Sequence, residues 1–186
     1  MAEVELKTID PKTVMSLAFE GSYAQTTDRL DELMAWLLRV GHPFSDRPFA
    51  IYYDDPVEVP EEDLRAEVCL PIKEACEPAD EVERKTVSGG EFACVMHEGP
   101  YSGLDEVYEE VFDWLEENSY EFVEEMGTRE VFHRLSGEVE SSDELLTEVQ
   151  IPVTTGETLA TTAEAAEEVG EVEEVEEVPE VAEVAE

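Results

Sequence analysis

Two stretches decide how this chain is read: "EGPYSGLDEVYEEVFDWL" (98–115) and "EGSYAQTTDRLDELMAWL" (20–37). Each opens on Glu-Gly-x-Tyr, runs on into an amphipathic segment and closes on Trp-Leu. The two turns lie 78 residues apart, and so do Trp36 and Trp114. A later pair, "LRAEVCLPI" (64–72) and "LLTEVQIPV" (145–153), repeats at an offset of 81. A turn, a tryptophan and a strand recurring in one order point to an internal duplication.

Each copy reads as strand, strand, helix, strand, strand. In the first, "VELKTI" and "VMSLAFE" are short strands. Leu30, Leu33, Met34, Leu37 and Leu38 then recur at helical spacing, and Gly41 stops the helix. "FAIYY" and "LRAEVCLPI" are the closing strands. The second copy runs "VERKTV", "FACVMHE", a helix with Leu104, Val107, Tyr108, Val111, Phe112 and Leu115 on one face, then "REVFHRL" and "LTEVQIPV". Asn118 and Ser119 mark that helix's end. One copy alone leaves a sheet face bare and an edge open. The expectation is one α+β domain over residues 1–154, with repeats at 1–75 and 80–154. Their strands join into one antiparallel sheet, with two helices on one face and a ligand groove between the copies.

The formal charge is −39. Residues 156–186 hold twelve Glu and no Lys or Arg, a low-complexity stretch that predicts a disordered acidic tail at 155–186. The remaining body is acidic too, with only four Lys, which suggests a salt-adapted, halophilic protein. No basic stripe exists for phosphate contacts, which excludes direct nucleic-acid binding. No apolar run approaches the roughly 20 residues of a membrane span. With no signal peptide at the start, the reading is cytoplasmic. Cys69, Cys76 and Cys94 match no zinc or redox spacing, and His42, His97 and His133 suggest no metal cluster. No phosphate loop or Ser-His-Asp set is present, so no cofactor is expected.

The phrase "VMHEGPYSGLDEVYEEVFDWLEE" (95–117) resembles the GyrI-like small-molecule-binding domain, the effector-binding part of certain AraC-type and MerR-type regulators. "AIYYDDP" (50–56), "RAEVCLPI" (65–72), "TREVF" (128–132) and "TEVQIPV" (147–153) extend the likeness over residues 3–153. The resemblance implies two repeats around a central ligand groove, and a stand-alone member lacking the DNA-binding helices of the regulators. Members bind lipophilic cations, bind other proteins, as a gyrase-inhibitory member does, or hydrolyse reactive electrophiles.

The resemblance also implies that Glu130 faces the groove. A carboxylate among apolar groups costs free energy unless paired or protonated, which suits a cationic ligand or a proton transfer. Glu67 and Glu148 match each other between the copies. Strand alternation points Glu148 either into a groove opposite the helices or into water. Tyr52 and Tyr53 must face opposite ways, one toward the groove and one toward the helix layer. Tyr23, Tyr101, Tyr108, Trp114 and Phe132 complete the candidate ring walls, since aromatic faces attract cations. Trp36 and Trp114 are also ordinary core positions. His97 is either a proton donor or a structural histidine. Three functions remain open: a small-molecule binding protein linked to transcriptional regulation or drug resistance, a hydrolase using Glu130, and a modulator of a protein partner such as a regulator or a topoisomerase.

Overall fold

A computed structural model describes residues 3–155 other than 75 and 80. The acidic tail expected to be disordered lies outside the described residues, apart from its first residue, Thr155. In chain order the elements are β1 (Glu5–Ile9), β2 (Lys12–Glu20), α1 (Thr26–Arg39), β3 (Phe49–Tyr52), β4 (Arg65–Pro71), β5 (Val82–Val87), β6 (Gly90–Glu98), α2 (Leu104–Glu117), β7 (Tyr120–Phe122), β8 (Thr128–Arg134) and β9 (Leu146–Thr155). Single-turn 3-10 helices precede both α-helices and several strands.

The nine strands of the described residues belong to one antiparallel sheet in the order β1-β6-β9-β8-β3-β4-β2-β5, with β7 paired to the far end of β9. That order reads the same backwards when each strand is exchanged for its counterpart in the other half. The midline runs between β3 and β8, where Ala50 faces Glu130. Two features go beyond the sequence-based expectation. β7 is a ninth strand, three residues long. The first strand of each half also crosses over: β1 pairs with β6, and β5 pairs with β2.

The crossing bends the sheet. β1 lies at one margin and β2 near the other, yet only Asp10 and Pro11 join them. Ser88 and Gly89 alone join β5 to β6. Three peptide units reach about 11 Å at most, so the margins must curl toward each other. The two links meet there. A Cβ on Gly89 would stand 2.2 Å from the Ile9 carbonyl oxygen and 2.6 Å from the Pro11 nitrogen. Only a residue without a side chain lets these backbones touch.

The repeated Glu-Gly-x-Tyr phrase turns a strand into a helix. Gly21 and Gly99 both take positive φ, 106° and 139°, where a side chain would be strained. Their amides donate to equivalent carbonyls, Gly21 to Leu64 at 2.8 Å and Gly99 to Leu145 at 2.9 Å. Each turn therefore anchors its helix to the closing strand of the same half.

Both helices lie on one face, as expected. α1 buries Leu30, Leu33, Trp36 and Leu37 against Leu17, Phe19, Ala66, Val68 and Leu70. α2 buries Leu104, Val111 and Leu115 against Ala93, Val95, Val149 and Ile151. Each fully buried leucine contributes about 2 kcal/mol from apolar area. The other face carries its own apolar cluster of Val14, Phe49, Ile51, Cys69, Val87 and Val131 inside the curl. No described helix is long and apolar enough to cross a membrane.

Candidate functional site

Register places the site. Ala50 on β3, Glu130 on β8 and Val149 on β9 form one cross-strand row on the helix face. Glu130 is thus at the middle of the sheet, where α2 reaches it directly and α1 by way of Tyr52, and is 8% exposed. Tyr52 donates its hydroxyl to Glu130 Oε2 at 3.0 Å, and Tyr108 of α2 donates to Oε1 at 3.2 Å. Thr26, at the start of α1, lies 3.2 Å from the Tyr52 hydroxyl, and Thr128 lies 3.4 Å from that of Tyr108. The carboxylate is held by neutral hydroxyls from both halves.

Rings surround it. Tyr23 packs on Tyr52 with centroids 4.7 Å apart and planes tilted by 56°. Its hydroxyl donates to the Asp54 carbonyl at 2.8 Å. Tyr101 meets Phe132 edge-on at 6.0 Å. The four tyrosines are half-buried, so the ring cluster around the acid reaches the protein surface in part.

Burial is the main influence on Glu130 and pushes its pKa up to about 7. The two tyrosine hydrogen bonds pull the other way, and Asp105 adds a further upward push. Burial first, then the charge of Glu130, holds Tyr52, Tyr101 and Tyr108 above the usual phenol range. The rings stay protonated, and Tyr52 and Tyr108 act as donors. The site can exchange a proton near neutrality or accept a positive charge.

The sequence-derived candidates divide between the faces. Tyr52 and Tyr53 do alternate, but the glutamate is on the helix side with Tyr52. Tyr53 is on the opposite face, where it donates to Glu67, which is 2% exposed. Lys85 of β5 donates to the same carboxylate at 2.7 Å. Glu148 also faces that side. It faces neither the Glu130 cluster nor bulk water, because Lys7 of β1 reaches it at 2.7 Å, Gln150 at 2.9 Å and His133 at 3.4 Å. A cavity of about 670 Å³ opens beside Tyr53, Glu67 and Lys85.

Two other candidates stand apart from Glu130. His97 has its ring nitrogen 3.1 Å from the Pro100 carbonyl and packs beneath Gly103, so it braces the turn into α2. Trp114 stacks on Tyr120 at 5.6 Å, between α2 and β7. Thr26, Thr128 and the lysines were not singled out from sequence. The matching positions of Lys7 in "VELKTI" and Lys85 in "VERKTV" were the available signal. Among the described residues, no cluster of His, Cys, Asp and Glu has the arrangement of a metal site.

Comparison with known proteins agrees with this architecture. DNA gyrase inhibitor 2 of Dickeya dadantii is 34% identical over 115 residues, which cover 59% of this chain and 72% of the relative. The crystal structure of the EcmrR C-terminal domain superposes with a TM-score of 0.75 at 21% identity, over 83% of this chain and 99% of that one. The EcmrR chain in a cryo-EM structure of its DNA complex superposes with a TM-score of 0.74 at 22% identity. This chain spans 82% of its own length there, and 57% of that chain. A protein solved bound to tetraphenylphosphonium shares the fold at a TM-score of 0.54 and 11% identity, over 82% of this chain and 94% of that one. The family model of the GyrI-like small molecule binding domain matches residues 2–154, and this chain belongs to that family.

Proposed function

We propose that this chain binds a lipophilic, aromatic cation on the helix face of the sheet midline, with Glu130 as counter-charge and Tyr23, Tyr52, Tyr101 and Tyr108 as walls. One contrast carries this reading. Among the described residues three glutamates are buried on the sheet, and Glu67 and Glu148 each have a lysine. Among the described residues no lysine or arginine pairs with Glu130, whose partners are neutral hydroxyls. A buried carboxylate left without a cation is costly to ionise, and a cation arriving among ring faces offsets that cost. The fold neighbour bound to tetraphenylphosphonium supports the ligand class by analogy.

The test titrates the protein with tetraphenylphosphonium and with the anion tetraphenylborate, both in high salt to screen the general negative charge. The cation binds at least tenfold more tightly, and Glu130→Gln removes that preference. Equal affinity for both ions, or an unchanged preference in the variant, overturns the reading. Mass spectrometry of an electrophilic substrate incubated with the protein separates simple binding from hydrolysis at the same carboxylate.

A second reading rests on the curated relative named DNA gyrase inhibitor 2. Here the acidic surface engages a basic patch of a topoisomerase. Purified gyrase in a supercoiling assay tests it: inhibition that rises with protein concentration at physiological salt supports it, and unaffected supercoiling removes it.

A further inference from the structure

We propose that the face of the sheet opposite Glu130 holds a second binding site, for a small oxyanion, built around Arg129. The chain places these two residues side by side on β8, so their side chains point to opposite faces. Arg129 is 4% exposed. Its Nη2 donates to the Ser88 carbonyl at 2.7 Å, and its guanidinium lies 4.5 Å above the Phe92 ring. Its Nε is buried without a hydrogen-bond partner. Among the described residues no carboxylate forms an ion pair with it.

The fold does not require a charge there. Phe49 on β3 faces Cys69 on β4, while Arg129 on β8 faces Gln150 on β9. Cys69 and Gln150 each follow the matched glutamates, Glu67 and Glu148, by two residues. Phe49 and Arg129 are therefore equivalent positions, and Phe49 is buried at 3% exposure. One half of the sheet satisfies this position with an apolar ring. The other half buries a cation, at a desolvation cost that only an anion or a full set of acceptors offsets.

A cavity accompanies the charge. About 160 Å³ of space is lined by Arg129, Lys85, Thr86, Ser88, Tyr53 and Met126, among others. A water needs about 10–15 Å³ of such space, so there is room for a group the size of a carboxylate or a phosphate. Two carboxylates also face it. Glu67 is engaged by Lys85 and Tyr53, and Glu125 is exposed at the rim. Among the described residues Arg129 forms no ion pair with a carboxylate, so at this cavity it is a positive group without a paired counter-charge. Burial also lowers the pKa of Arg129 from the usual arginine range, with Cys69, Tyr53 and Glu67 opposing. A planar guanidinium with a free N–H suits an oxyanion better than a point charge does.

Calorimetric titration of the full chain with sodium acetate and with sodium phosphate, each against sodium chloride at matched ionic strength, tests the site. At least one oxyanion binds saturably with one equivalent, and which one distinguishes a carboxylate ligand from a phosphate. Arg129→Gln weakens that binding at least tenfold, while Glu130→Gln leaves it within twofold. If Arg129→Gln fails to fold by circular dichroism, Met126→Trp decides: it fills the cavity, keeps the guanidinium and abolishes binding. Heats indistinguishable from chloride, or undiminished binding in either Arg129→Gln or Met126→Trp, overturn the proposal. The cation test at Glu130 uses neither ion, so the two readings fail separately.

Discussion

Lys7 reaches across to Glu148 at 2.7 Å, tying the first strand of one half to the last strand of the other. Lys85 makes the mirror-related contact to Glu67. These two pairs tie each exchanged strand, β1 and β5, to the half that receives it.

Removing Lys7 takes the lysine from Glu148 and leaves it Gln150 and His133. The Lys7 side chain is 41% exposed, so solvent screening discounts the pair, and Lys7→Met is expected to cost about 1 kcal/mol at neutral pH. Burial pushes Glu148 up, but the hydrogen bonds from Lys7 and Gln150 outweigh it and leave the group below the usual carboxylate range. A depressed folded pKa stabilises above the unfolded value and loses that stability as pH falls through the folded value. The difference between wild type and Lys7→Met therefore shrinks as the solution is acidified below about pH 4.5. Urea midpoints across pH 3–7 check this, and a constant difference contradicts it.

Glu130 carries the opposite linkage. Its folded pKa of about 7 lies above the unfolded carboxyl value of 4.5. Between those values the folded state keeps a proton that the unfolded state has lost, so stability falls as pH rises and levels off above about 7. At about 1.4 kcal/mol per pKa unit the loss is about 3 kcal/mol. Glu130→Gln abolishes this slope, leaving a variant more stable than wild type at pH 8 and near it at pH 5. Denaturation of both proteins at the two pH values decides the point.

Cation binding at an ionised Glu130 displaces that proton. Affinity for tetraphenylphosphonium should fall about tenfold between pH 8 and pH 6, following the ionised fraction of a group titrating near 7. Fluorescence competition at the two pH values measures it. A pH-independent affinity separates binding from the carboxylate.

Tyr108→Phe keeps the ring and removes one donor to Glu130. Because that bond opposes the effect of burial, its loss raises the Glu130 pKa further. The pH midpoint of cation binding then moves upward, with a several-fold loss of affinity at pH 7. A midpoint that stays in place assigns Tyr108 to packing alone.

Gly89→Ala forces a methyl group into backbone. The nearest atoms are the Ile9 carbonyl oxygen and the Pro11 nitrogen at 2.2 and 2.6 Å, and neither can rotate away as a side chain does. About 3 kcal/mol of destabilisation follows, at the upper end for overpacking. Chemical denaturation reads it, and a loss under about 1 kcal/mol shows that the two links part easily.

Much of this was legible in the residues. The helical spacing of Leu30, Leu33 and Leu37 marks α1, and strand alternation by itself places Tyr52 and Tyr53 on opposite faces. β7 was missed because three residues make too short a pattern to distinguish from loop. Glu130 entered through family resemblance, since one glutamate among 50 acids has no local signature of burial.

By itself the amino-acid sequence determined the repeated grammar, the elements and the alternation of side chains along each strand, because these depend on neighbours within a few residues. Only the tertiary structure decided that β1 and β5 cross to the other half, that Lys7 and Lys85 neutralise the glutamates on the curled face, and that Glu130 and Arg129, on opposite faces, have no ion-pair partner among the described residues. The reason is physical: alternation states that two residues point apart, whereas the register of distant strands decides which charges meet.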